Sequence, residues 1–175
     1  MNHFTFYGIP MAFVVDESAI RARYLQNSRK FHPDFHTLSE EQAQADALEL
    51  STRNNEAFKV LSDPDARMQY ILREKGLLGT EGEAGTLPQD FLMDMMDINE
   101  AIMELEFDFQ QEAYESALKS LKNLEETLES GIKPILDSWT EERGTEQDLI
   151  RVRDFFYKNR YLLRTKENLS KFAPA

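Results

Sequence analysis

Apolar residues recur at helical spacing through most of the chain, and nowhere in the alternation of a half-buried strand. Phe4, Phe6, Tyr7 and Ile9 form a short cluster closed by Gly8 and Pro10, which predicts a single short helix. Ile20, Tyr24, Ser28 and Phe31 then share one helical face behind Asp16, a favourable N-cap with Glu17 in the first turn. Arg23, Gln26, Asn27 and Lys30 make another face, which composition alone reads as solvated surface. Pro33 denies the helical conformation to the residue before it and has no N–H. The helix therefore ends at about Phe31 or His32, and His32-Pro33-Asp34 forms an exposed loop beside Arg21, Arg23, Arg29 and Lys30. A second long helix is predicted over 39–62, opened by Ser39 and Gln42 at capping-box spacing. Its inward face is Ala43, Ala47, Leu50, Asn54, Ala57, Phe58 and Leu61, whose small alanines allow close antiparallel packing on the preceding helix. Asp63-Pro64 ends it and starts another helix bearing Met68, Tyr70, Ile71 and Leu72, which Gly76 stops.

Four glycines between 76 and 87 mark a linker, dividing the chain into 1–76, a connection at 77–87 and a second domain at 88–175. That second part again predicts helices only, at about 88–108, 111–130 and 146–171, with Gly131, Pro134 and Gly144 interrupting the last connection. The expected class is all-α: an antiparallel helical hairpin with flanking short helices, then a three-helix bundle. In the helix at 88–108, Phe91, Met95, Ile98, Ile102, Leu105 and Phe109 suffice for a buried stripe. Leu92, Met96 and Met103 lie roughly a quarter-turn or more off it, and Met93 sits farther round beside Asp97, Glu100 and Glu104. A second ridge of flexible thioethers edged by acids suits a docking face. A contact with the third bundle helix or with the first domain accounts for the same pattern.

Composition narrows the functions available. Hydrophobic residues make up 41% and charged residues 30%, as in a soluble globular protein. The net charge of −12 opposes general binding of nucleic acid or anionic membranes. The charge is uneven: residues 1–76 carry 9 Lys and Arg against 11 Asp and Glu, leaving 11 against 21 beyond. There is no cysteine, which excludes disulfides, thiolate zinc sites and cysteine nucleophiles. No stretch reaches the ~20 apolar residues of a membrane span, and the first residues lack a secretory pattern, so a cytoplasmic protein is expected. His32 and His36 have Pro33 between them and no third ligand, so no metal site is expected. Without a phosphate-binding glycine loop, a nucleophile elbow or a definable acid–base pair, neither an enzyme nor a cofactor is expected.

Taken together, several features of residues 1–76 resemble a J domain, the module by which co-chaperones engage DnaK-type ATPase chaperones. They are the aromatic cluster before Gly8-Ile9-Pro10, the basic helix with Tyr24, the His32-Pro33-Asp34 loop, and the run Asn55 to Pro64 followed by Arg67 and Tyr70. The whole chain is similar to the HscB-type co-chaperones of iron–sulfur cluster assembly, which add a C-terminal three-helix bundle. The resemblance implies that His32, Pro33, Asp34, Arg21, Arg23, Arg29 and Lys30 face a DnaK/HscA-type ATPase. It implies that Leu92, Met93, Met96, Asp97, Glu100 and Glu104, with Phe155 or Phe156 on the last helix, contact an IscU-type scaffold. The chain departs from the family in having Phe35 where lysine is common, and Leu25 and Gln26 at positions often basic. Two alternatives stand beside this reading: a J protein with another client, and a helical adaptor whose loop is inert.

Overall fold

The computed structural model describes residues 1–32, 41–79 and 87–173. Its helices are α1 (His3–Tyr7), α2 (Glu17–Lys30), α3 (Glu41–Ser62), α4 (Pro64–Glu74), α5 (Gln89–Phe107), α6 (Gln111–Ser138) and α7 (Glu146–Ser170). No strand occurs among the described residues; Ala12 and Thr140 form an isolated antiparallel bridge. The class is all-α.

The chain folds as two compact units, one of Met1–Gly76 with Asp137–Gly144, the other of Leu77–Leu136 with Thr145–Ala175. In the first, local chemistry sets the helix ends. Gly8 closes α1 in the left-handed region at φ 66°, where a Cβ would be strained. The Asp16 carboxylate accepts from the Ser18 and Ala19 N–H groups at the start of α2, and Asp63 accepts from Ala66 N–H at the start of α4. The Ser39 capping position lies outside the described residues.

The hairpin of α2 and α3 is closed by buried small and polar groups as much as by large ones. Ala47, Ala57 and Leu61 are buried on α3 and Ile20 on α2. Fully buried Asn54 donates from Nδ2 to the Tyr24 carbonyl and to Ser28 Oγ, each at 3.1 Å. Its own carbonyl accepts from the Tyr7 hydroxyl at 3.1 Å. Tyr24 stacks on Phe58 with ring centroids 4.3 Å apart. Buried Arg67 donates from Nε to the Phe13 carbonyl at 2.8 Å and from a guanidinium nitrogen to the Leu61 carbonyl. These bonds supply the partners that a buried cation requires.

The second unit has its core where α5, α6 and α7 face one another: Phe91, Met95, Ile98, Ile102 and Leu105 from α5, Tyr114, Ala117 and Leu121 from α6, and Leu162 and Leu169 from α7. Helix α6 does not end near residue 130 but runs through Gly131 and Pro134 to Ser138. Ile132, Ile135, Leu136 and Trp139 continue its apolar row at steps of three and four, and Ile132 and Trp139 are buried. That burial outweighs the roughly 1 kcal/mol of a helical glycine and the roughly 3 kcal/mol of an interior proline.

By contact, residues 137–144 group with the first unit. There the Phe13 and Trp139 rings lie 4.9 Å apart, Glu141 N–H donates to the Met11 carbonyl, and Lys75 pairs with Glu141 at 2.6 Å. Contrary to expectation, Phe109 is 44% exposed and lies past the end of α5, outside its buried stripe. On α2, Asn27 is buried rather than part of the solvated face, because the packed side of the helix is broader than the apolar residues alone mark.

Candidate functional site

The C-terminal end of α2 carries the first cluster of interest. The helix stops at Lys30, with Phe31 as cap, its N–H bonded to the Asn27 carbonyl. Arg29 and Lys30 stand in the last turn, where the helix dipole favours cations. Arg21, Arg23, Arg29, Lys30 and His32 are all exposed. Arg23 donates to the Gln26 side chain at 3.1 Å, and the Lys30 ammonium lies 5.3 Å from the Phe31 ring centroid. Pro33 and Asp34 lie outside the described residues. What α2 itself offers is a cationic surface on a well-supported helix, suited to an acidic partner.

The second cluster is the outer side of α5. Five residues of the expected stripe are buried, Met95 completely. The adjacent residues are not used by the core: Leu92, Met93, Met96 and Met103 are 43%, 64%, 63% and 60% exposed. Asp97, Glu100 and Glu104 are exposed beside them. Asp94 and Asp97 also border a cleft of about 450 Å³ between α5 and α6, floored by Ala101, Ala113 and Ala117. Apolar side chains left exposed in a row mark an interaction surface more often than scattered ones do.

On α7 the expected aromatics are placed differently. Phe155 and Phe156 are buried, at 9% and 8% exposure, so neither ring is presented to solvent. An α7 aromatic that does meet α5 is Tyr161, whose hydroxyl accepts from Asn99 Nδ2 at 3.0 Å and whose ring meets Phe91 edge-on at 5.9 Å. Lys158 extends over the same Phe91 ring. Sequence reasoning missed Tyr161, although its spacing from Leu162 and Leu169 places it at the margin of the packed face. It also missed Phe107, which continues the Met96–Met103 row. Among the described residues no group of three or more His, Asp or Glu is arranged to hold a metal ion, and no helix is long and apolar enough to cross a membrane.

A helical hairpin with a basic second helix leading to His32 defines the first unit as a J domain, and the DnaJ-domain family model matches residues 2–70. A second model, described as the HSCB C-terminal oligomerisation domain, matches residues 87–170. The chain belongs to the HscB co-chaperone family. The co-chaperone HscB homologue of Aliivibrio salmonicida is 31% identical over 140 residues, covering 74% of this chain and 81% of that relative. The homologue of Photobacterium profundum is 28% identical over 177 residues, covering 95% and 97%. In fold, the chain is similar to the chaperone HscB of Vibrio cholerae, with a TM-score of 0.65 at 19% identity over 98% of this chain and 96% of that one. It is likewise similar to the human co-chaperone HscB, with a TM-score of 0.70 at 22% identity over 98% and 81%.

Proposed function

We propose that this co-chaperone serves iron–sulfur cluster assembly in the cytoplasm, stimulating the ATPase of a DnaK/HscA-type chaperone and delivering to it an IscU-type scaffold protein. The observation that carries this reading is the presence of two unlike surfaces on a J-domain protein of this family, one cationic at the end of α2, the other apolar and acid-edged on α5. The division of labour follows residues 1–76, 77–87 and 88–175. Arg21, Arg23, Arg29 and Lys30 steer the first domain toward an acidic patch on the ATPase. In the loop, the Asp34 carboxylate accepts a charged hydrogen bond, ideally from arginine, and the His32 ring donates or accepts one. Pro33, with no N–H to donate, is unsuited to a helix interior.

Binding that favours the hydrolysis-competent conformation of the ATPase raises its turnover without any catalytic group from this chain. Leu92, Met93 and Met96 provide the adaptable apolar contact for the scaffold, and Asp97, Glu100 and Glu104 the charged edge. Two variants test the two halves. His32→Gln is expected to abolish ATPase stimulation while leaving scaffold affinity unchanged; stimulation that survives overturns the role given to the loop. Leu92, Met96 and Glu104 changed together to Ala are expected to weaken scaffold binding by about a hundredfold in calorimetry, with stimulation by the free co-chaperone retained. Unaltered affinity removes α5 as the client site. If the chain stimulates a DnaK-type ATPase but binds no IscU-type scaffold, it is a J protein for another client.

A further inference from the structure

Among the described residues, Phe107 is the most exposed large apolar side chain, at 90%. It is the last residue of α5. Leu92, Met96, Met103 and Phe107 are separated by four, seven and four positions, so they fall within about 60° of one another around the helix. The row is roughly 22 Å long at the helical rise per residue. Anchors at such spacing are the pattern by which a helix lies in an apolar groove of a partner. The flanks add a sign to that pattern: α5 contains six carboxylates and no lysine or arginine. Glu100, Glu104 and Glu106 are all exposed along the second half of the helix, as is Asp108 just beyond it.

We propose that the docking surface extends the full length of α5, with Met103 and Phe107 as its far half, and that its occupant is a protein presenting an apolar groove about 20 Å long rimmed by basic side chains. Charge opposes a symmetric pairing of two copies of the chain through this helix. Two such helices face to face bring twelve carboxylates together with no cation on either to offset them. The proposal rests on the scaffold-binding reading of Leu92 and Met96, and goes beyond it by giving Phe107 the distal anchor and the groove its rim. The side chain suits the role: a rigid aromatic loses little freedom when buried and removes much apolar surface from water.

The test is calorimetry of the full chain with the IscU-type scaffold of the same organism, comparing Phe107→Ala, Met103→Ala and Leu92→Ala. Because Phe107 is outside the core, its removal leaves folding unchanged, which circular dichroism verifies. Phe107→Ala is expected to weaken binding by about tenfold, and raising salt is expected to weaken wild-type binding through the charged rim. If Leu92→Ala weakens binding while Phe107→Ala and Met103→Ala do not, the extension is wrong and the scaffold reading stands. If none of the three changes affinity, the scaffold reading falls and the extension with it. Affinity indifferent to salt overturns the basic rim. Sedimentation gives the remaining outcome: self-association of the wild type that Phe107→Ala abolishes makes a second copy the occupant and overturns the proposal.

Discussion

Helices α2 and α5 both carry candidate docking surfaces, and they achieve exposure in opposite ways. α2 buries Ile20 and Asn27 and presents arginines to water, so its outer face is what any solvated helix shows. α5 buries five apolar residues and leaves five large ones along its length uncovered. A cationic face gains from solvation and acts at a distance, whereas an exposed thioether ridge gains only on contact. The lesson is that charge on a helix is weak evidence of a site, while apolar residues in excess of what the core uses are strong evidence. The α2 surface therefore draws its meaning from the adjoining His32-Pro33-Asp34 motif and from the family.

Neighbouring residues of opposite placement break this comparison most sharply. Met95→Ala, which empties a completely buried position of the second unit's core, is expected to destabilise that unit by about 3 kcal/mol. Met96→Ala, one residue on and 63% exposed, is expected to leave stability within about 0.5 kcal/mol yet weaken scaffold binding. Hydrogen exchange and calorimetry on the same two variants separate the effects; equal destabilisation removes the distinction between ridge and core.

Arginines of the first unit offer a parallel pair. Arg67→Ala leaves the buried Phe13 and Leu61 carbonyls without their guanidinium donors and is expected to destabilise the first unit by about 2–3 kcal/mol. Arg29 is exposed at the end of α2; Arg29→Ala is expected to leave melting unchanged and to slow ATPase association mainly at low salt. Gly144→Ala sharpens the limits of the first unit. A Cβ there would collide with the Trp139 indole, so stability in thermal melting is expected to fall by about 1–3 kcal/mol. An unchanged melting profile shows that the Trp139 turn does not support that unit.

The smallest expected effect concerns His3. Its ring stacks on Tyr70 with centroids 4.5 Å apart, and burial, followed by the opposing influence of Glu56 and then the reinforcing charge of Arg53, holds its pKa below the ordinary 6.5. The folded state thus favours the neutral ring. The resulting stability is present above pH 6.5 and is lost as pH falls through the lowered folded-state value. Amide exchange in α1 and α4 is expected to quicken on acidification in that window, and His3→Phe to reduce the change. A variant with the same pH response assigns the effect to other groups.

Much of this arrangement was legible along the chain. Asp16, Asp63 and Gly8 determine helix ends through bonds and torsions made within a few residues, so their roles are local and readable. The five buried positions of α5 are likewise dictated by the helical repeat. The end of α6 was not legible, because Gly131 and Pro134 are locally unfavourable and their effect is reversed by burial of Ile132 and Trp139. Nor was the placement of residues 137–144 with Met11 and Phe13, which depends on a ring contact and a backbone hydrogen bond between groups more than 120 positions apart.

The helical class, most helix starts, the cationic end of α2 and the surplus of apolar residues on α5 are written along the chain, since each follows from spacing and local bonding. Tertiary structure alone decided that the surplus stays exposed, that Phe155 and Phe156 are buried while Tyr161 meets α5, and that Phe107 extends the row. Periodicity assigns residues to a helical face, but only the packing of other helices decides which faces are covered.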